Sequence, residues 1–319
     1  MTGKIRDFTD ADYAGVVAVH NAVYAEWLNS EADQRHEDAT REAKCKWRRF
    51  VVEEGGRIIA FGGYSQSAWM YHPRKFFITV NVHPEWQRRG IGSALFAHVM
   101  AALAPHAPLS VRNQVNEAYP HGIRFAEKLG FKAGMREQES MLDLDAFEPE
   151  RFAADVQRVA DAGIAIAGYE ELAADPELRR KLWELETEIS PDVPAPEPVT
   201  DPSFEGYCAE VFGSPNWFPA GFMLALDGER LAGVSNLWLS QTPGRLHTGL
   251  TGVRREYRQR GLATALKVKV LGKAKALGYH AVMTWNDSSN AGMLGINWRL
   301  GFVKRPAWVD YEKVLASED

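Results

Sequence analysis

A stretch of fourteen residues occurs twice in this chain. Val82-His-Pro-Glu-Trp-Gln-Arg-Arg-Gly-Ile-Gly-Ser-Ala-Leu95 returns, 171 positions later, as Val253-Arg-Arg-Glu-Tyr-Arg-Gln-Arg-Gly-Leu-Ala-Thr-Ala-Leu266. Leu129-Gly130-Phe131 returns at the same shift as Leu300-Gly301-Phe302. A common offset at two places, with no net insertion between them, is hard to obtain by chance, so the halves are read as homologous folds. The length of 319 residues agrees, since about 150 residues per domain gives two cores. The expected domains are residues 1–146 and 147–319.

Around these anchors both halves keep one rhythm. A short strand (5–8; 163–168) and a helix precede a hairpin, 50–61 in the first half and 222–239 in the second. Glu54-Gly55-Gly56 and Asp227-Gly228 mark the turns, because glycine accepts positive φ. A further strand (76–82; 246–253) runs into the repeated motif, which opens a helix (92–103; 263–277). Another strand, a helix ending in Leu-Gly-Phe and a last strand (139–144; 308–314) complete each half. This predicts an α/β (α+β) class, each domain a twisted, mixed but mostly antiparallel sheet flanked by helices. Residues 147–162 show helical spacing and bridge the halves. Ser190 to Pro198 carries four prolines in nine residues and reads as an extended loop, either a wall of a substrate site or a plain connector.

A strand, then an arginine- and glycine-rich turn, then a helix is a recipe for holding phosphate. The first-turn amides and the positive end of the helix dipole face the anion, and glycine allows close approach. The candidate cofactor-binding residues are therefore Val82, Gln87, Arg88, Arg89, Gly90, Ile91, Gly92 and Ser93, and again Val253, Arg258, Gln259, Arg260, Gly261, Leu262, Ala263 and Thr264. A net charge of −5 gives no overall basic footprint, which argues against nucleic acid or an anionic membrane as partner. Only Cys45 and Cys208 are present, outside any metal-ligand pattern, so neither a disulfide framework nor a metal site is expected. The amino-terminal residues lack a signal-like apolar run and no segment is long enough to span a bilayer, so a cytoplasmic protein is expected.

Gln/Arg-x-x-Gly-x-Gly/Ala after a strand ending in valine resembles the Gcn5-related N-acetyltransferase family, and both copies match. With the two Leu-Gly-Phe helices, the resemblance covers essentially the whole chain twice. It implies acetyl-coenzyme A as co-substrate, its pyrophosphate held by the loop amides and its pantetheine arm along the preceding strand. The second half is more similar to the mycothiol synthase-like tandem branch through Asn286 to Phe302; there the resemblance implies that Asn290 contacts the cofactor. Asn286 is a candidate catalytic residue presenting its amide. Helix capping and turn formation are the bland alternatives for both.

Departures from the family bear on mechanism. The tyrosine that acts as general acid in many members is replaced by Asn297 in the second half and Ala126 in the first. Tyr257 and Tyr119 are possible substitutes, with packing the commoner role for a lone tyrosine. No carboxylate stands on the strand before either motif, which leaves His247 as the candidate titrating group, an edge-strand histidine being the alternative. Glu184 and Glu186 read as helical surface charge by default. Trp69, Tyr71, Trp217 and Phe218 are candidates for an acceptor pocket, although ten tryptophans serve mainly as packing.

The resulting expectation is direct acetyl transfer, in a ternary complex, from acetyl-coenzyme A to the amine of a small-molecule acceptor, by a monomer. A backbone N–H near Val82 or Val253 would polarise the thioester carbonyl. The second half is favoured as the working one for its asparagines and proline loop. The rival is a non-catalytic acyl-coenzyme A binding scaffold, and a third possibility is acetylation of protein amines.

Overall fold

The computed structural model describes residues 3–317, so the outermost positions of the expected domains, 1–2 and 318–319, lie outside the described residues. In chain order the first half holds β1 (Lys4–Asp7), α1 (Tyr13–Val23), α2 (Glu31–Thr40), β2 (Arg48–Glu54), β3 (Arg57–Ser65), β4 (Lys75–Val82) and α3 (Ile91–Leu103). Then come β5 (Ser110–Asn116), α4 (Pro120–Lys128) and β6 (Lys132–Asp143). The second half has α5 (Ala153–Asp161), β7 (Ala165–Gly168), α6 (Leu178–Ile189), α7 (Phe204–Phe212), β8 (Phe222–Asp227), β9 (Arg230–Leu239) and β10 (Arg245–Val253). It ends with α8 (Leu262–Ala276), β11 (Ala281–Asp287), α9 (Ala291–Arg299), β12 (Val303–Lys304) and β13 (Trp308–Val314). The hairpins and the strand-turn-helix units fall where periodicity and glycine turns place them.

Two compact units result, and they are not contiguous in sequence. The first comprises residues 1–135, 196–202 and 308–319; the second comprises 136–195 and 203–307. The expected division at 146/147 and these units therefore differ by an exchange of last strands. In the first unit the strands run β1-β2-β3-β4-β5-β13, antiparallel except for β4 beside β5. In the second the order is β6-β11-β10-β9-β8-β7, antiparallel except for β10 beside β11. The physical reason is burial. Val309 and Tyr311 of β13 sit in the first unit's core with Phe76, Leu95 and Val111, while Leu142 and Leu144 sit in the second unit's core with Leu246, Leu266 and Val282. Each sheet is closed by apolar positions from the far half of the sequence.

The proline-rich stretch is divided as well. Residues 196–202 are stitched onto the first unit, where the Thr200 amide donates to Trp69 O at 2.8 Å and its hydroxyl to Ala68 O at 2.5 Å. Glu197 pairs with Arg112 at 2.5 Å and Lys75 at 3.2 Å. These bonds tie the end of the proline-rich stretch to the first unit. Helix α2 lacks any buried residue, and a capping box between Ser30 and Asp33 holds its start.

Helix α8 buries Lys267 to 2% exposure, over the Phe302 ring at 5.4 Å, where the first half has Phe96 against Phe131. Among the described residues no carboxylate pairs with it, and loss of hydration pulls its ammonium down to about 8. An unfolded chain holds that proton up to its ordinary value of 10.5, so the unfolded state binds more protons between these values. Stability should therefore rise with pH from about 8 to 10.5, the full penalty being present below 8. Lys267→Met should stabilise the protein at pH 7 by about 3 kcal/mol, the free-energy equivalent of the shift. Denaturant unfolding at pH 7 and pH 10 checks this: the gain should shrink at the higher pH.

Candidate acyl-coenzyme A site

Both repeated loops fold alike. Arg88 and Gly90 have φ of 62° and 82°, and Gln259 and Gly261, 171 positions on, have 60° and 82°. A left-handed arginine or glutamine costs of order 1 kcal/mol, so the same strain at the same two places twice points to a purpose. Alternating conformations turn successive amides toward one concavity, an anion-binding nest. Gly90 and Gly261 are the N-caps of α3 and α8, and no side chain caps either helix, so the first-turn amides remain available to an anion. Beyond Gly90 there is open space; beyond Gly261 only the Arg158 guanidinium comes within reach, at 3.9 Å.

The candidate residues divide by what they touch. Gln87 Nε2 donates to Val82 O at 3.0 Å, and its counterpart Arg258 donates from Nε to Val253 O at 3.1 Å. These side chains hold the loop to the strand end. Arg89 donates to Glu85 O at 2.8 Å and lies over Trp86, and Arg260 lies over Tyr257. Ile91 and Leu262 point into the cores and offer an anion only their amides. Thr264 is buried too, whereas Ser93 is exposed. Gly92 and Ala263 keep the first turn small; a Cβ at Gly92 would meet Phe125 at 3.4 Å.

The strands before each loop pair with their parallel neighbours only briefly. Registers run Lys75↔Ser110 to Phe77↔Arg112 in the first unit and Arg245↔Ala281 to His247↔Met283 in the second; then the strands part. In the first unit Asn113 Nδ2 reaches Ile78 O at 2.7 Å at the parting. A cavity of about 420 Å³ opens there, lined by Thr79, Asn81 and Asn113 and walled by His20, Tyr24, Trp27 and Trp308. In the second unit β10 is bulged between Thr248 and Thr251, and the Leu250 amide in the bulge is taken by Asn236 Oδ1 at 2.7 Å.

The candidate catalytic residues of the second half are each held by neighbouring groups. His247 is the last residue of β10 paired with β11; its ring stands edge-on to Trp285 at 5.1 Å, and loss of hydration pulls its pKa down to about 4. Tyr257 donates its hydroxyl to Asp227 at 2.8 Å and serves as a brace between the motif turn and the β8–β9 hairpin. Asn286 Oδ1 accepts from Asn297 Nδ2 at 2.6 Å. Asn290 caps α9, accepting from the Met293 amide at 3.1 Å, so in this state its side chain does the capping work. Glu186 is not surface charge: it is buried, Asn236 Nδ2 donates to it at 3.4 Å, and loss of water raises its pKa to about 7. Glu184 is exposed.

Two β-sheet units, each with parted parallel strands and a left-handed amide loop opening a helix, define a tandem acyl-CoA N-acyltransferase fold. The chain belongs to the acetyltransferase (GNAT) family, whose model matches residues 20–131 and again 177–302. A mycothiol acetyltransferase from an Arthrobacter species is 35% identical over 106 residues, 30% of this chain and 32% of that protein. One from Pseudarthrobacter chlorophenolicus is 34% identical over 28% of this chain and 29% of its own length. The matched segment thus spans about a third of these curated relatives. Over nearly the full length the fold is similar to a tandem GNAT protein from the clavulanic acid biosynthesis pathway, with TM-score 0.75, 20% identity and 99% of both chains covered. A GCN5-related N-acetyltransferase from Sphaerobacter thermophilus gives TM-score 0.70 at 19% identity, covering 99% of this chain and 96% of that one.

Proposed function

We propose that the protein transfers an acetyl group from acetyl-coenzyme A directly to the amine of a small-molecule acceptor, in a ternary complex. The observation that carries this reading is the loop geometry repeated at Arg88/Gly90 and Gln259/Gly261, each ahead of an uncapped helix. When bound, acetyl-coenzyme A supplies the acetyl group activated as a thioester. The chain's amides hold the diphosphate, the strand bearing Val82 or Val253 aligns the pantetheine arm, and the parted strands leave room for the thioester to meet the amine. Net charge gives no reason to invoke nucleic acid, no described helix is long and apolar enough to cross a membrane, and no group of three or more metal-ligating side chains occurs among the described residues. Our reading of the working form is a monomer.

We assign turnover to the first unit, against the initial preference for the second half, because the cavity at the β4–β5 parting lies there. The test is coenzyme A thiol release over a panel of amines. Release with at least one amine supports the reading, and acetyl-coenzyme A binding without release from any would leave a binding scaffold.

A separate observation supports a binding role for the second loop. Asp192 accepts from Arg255 and Arg258 at 2.5 Å each, and this holds its carboxylate well below the usual range. The carboxylate stays charged down to strongly acid pH and competes with a diphosphate for the same arginines. Asp192→Asn should tighten coenzyme A at the second loop by about tenfold, in line with removing one charge near an exposed anion site. Calorimetric titration at low and high salt reads this, the difference narrowing as salt rises.

A further inference from the structure

We propose that His20 is the general base of the first unit's site, taking the proton from an amine carried on an aromatic body. The proposal rests on the acetyl-transfer reading above and names the residue and acceptor class that complete it. His20 lies on α1 and lines the cavity at the β4–β5 parting. Its Nε2 stands 2.9 Å from Trp27 O. A carbonyl oxygen only accepts, so Nε2 carries the hydrogen, and Nδ1 is left with a lone pair and no hydrogen bond among the described residues. The fold thus fixes one tautomer, the role a backbone carbonyl often plays for a working histidine.

The other ionisable groups around the cavity are engaged. On α2, Glu37 pairs with Arg41 at 2.9 Å, and Arg41 also faces Asp38. On β2, Arg49 holds Asp38 at 2.7 Å and Arg48 holds Asp7 at 2.8 Å. On β3, Tyr64 meets His106 Nε2 at 3.2 Å. Tyr24 is pushed up to about 12 by burial, and β4 contributes only Thr79 and Asn81 as polar lining side chains. Burial lowers the pKa of His20 below its ordinary value, with the bond to the Trp27 carbonyl and the charge of Glu37 opposing the shift, so the neutral ring is favoured at pH 7. It is the cavity group able to accept a proton there.

The wall beside His20 is aromatic, the imidazole ring lying 5.2 Å from that of Tyr24. Trp27 and Trp308 meet at 5.0 Å and Tyr24 and Tyr119 at 5.4 Å, both edge-on, with Tyr24 against Trp308 at 5.8 Å. Such rings favour a flat apolar acceptor over a sugar or an acid. In the reaction His20 Nδ1 takes one proton of the bound ammonium and passes it to solvent. The freed lone pair forms the C–N bond as the C–S bond breaks, and a second N–H proton ends on the thiolate. The products are amide, coenzyme A thiol and one released proton.

Two measurements on the full chain test this. Nitrogen-15 NMR of the histidine side chains without ligand, with His20 assigned by its absence in His20→Gln, should show the Nε2–H tautomer and a titration below 6.5. In steady-state assays with aralkylamines, His20→Gln should lose about a hundredfold or more in kcat, with KM for acetyl-coenzyme A unchanged and the acid limb of the pH profile abolished. An Nδ1–H tautomer, or a variant as active as wild type with the same pH profile, overturns the proposal and leaves acetyl transfer standing. A wild type that releases no thiol with any amine removes the transfer reading and the base together.

Discussion

A chain ending at Ala307 is expected to lose the fold of its first unit. All seven residues of β13 pair with β5, from Trp308↔Asn116 to Val314↔Ser110. Removing them uncovers a strand edge and takes Val309 and Tyr311 out of the core, each costing about 2 kcal/mol in lost burial. Asp310 and Glu312 leave as well, so Arg112, 8% exposed, keeps only Glu197 among its carboxylate partners. Lys313 no longer donates to Leu129 O at the Leu-Gly-Phe turn. Together these losses approach the whole stability of a domain, roughly 5–15 kcal/mol. By the same reasoning fragment 1–146 should not fold alone, whereas 1–131 joined by a short linker to 308–319 should show a cooperative thermal transition by circular dichroism. A cooperative transition in fragment 1–146 would contradict the exchange of strands.

Gly90→Glu should raise KM for acetyl-coenzyme A by about a hundredfold, from one added charge some 4–6 Å from a diphosphate together with a helix terminus turned unfavourable. The fold should tolerate the change, because a Cβ at Gly90 meets nothing within 4 Å. The φ of 82° costs any L-residue about 1 kcal/mol, so Gly90→Ala carries the strain without the charge. The alanine variant should lose little affinity. Gly261→Glu should leave turnover near wild type, because the cavity assigned to the chemistry lies in the other unit. Steady-state kinetics of the three variants reads this; loss of turnover in Gly261→Glu with none in Gly90→Glu would move the working site to the second unit.

What was legible in the sequence was whatever the backbone repeats locally. Strand-turn-helix units announce themselves through alternating apolar residues, Gly-Gly and Asp-Gly turns and the loop at 87–93 and 258–264, because each is specified by its own few residues. The exchange of β6 and β13 was not legible. β6 runs over twelve residues and β13 over seven, each mixing apolar with charged positions, and which β-edge each joins depends on contacts far apart in sequence. Helix α2 was missed because it has no buried stripe, only a capping box. Sequence reasoning also passed over His20, whose significance comes from the Trp27 carbonyl, and it could not show that His247 sits half-buried against Trp285. The asparagines were readable as caps or as ligands, and the cap at Asn290 is the interaction the structure contains.

Calorimetric titration of acetyl-coenzyme A into the unmodified protein bears most directly on the claim of two acyl-coenzyme A sites in one chain. The account predicts two equivalents, the tighter at the first loop and lost in Gly90→Glu, the weaker at the second and lost in Gly261→Glu. No binding, or binding that neither variant alters, would contradict it.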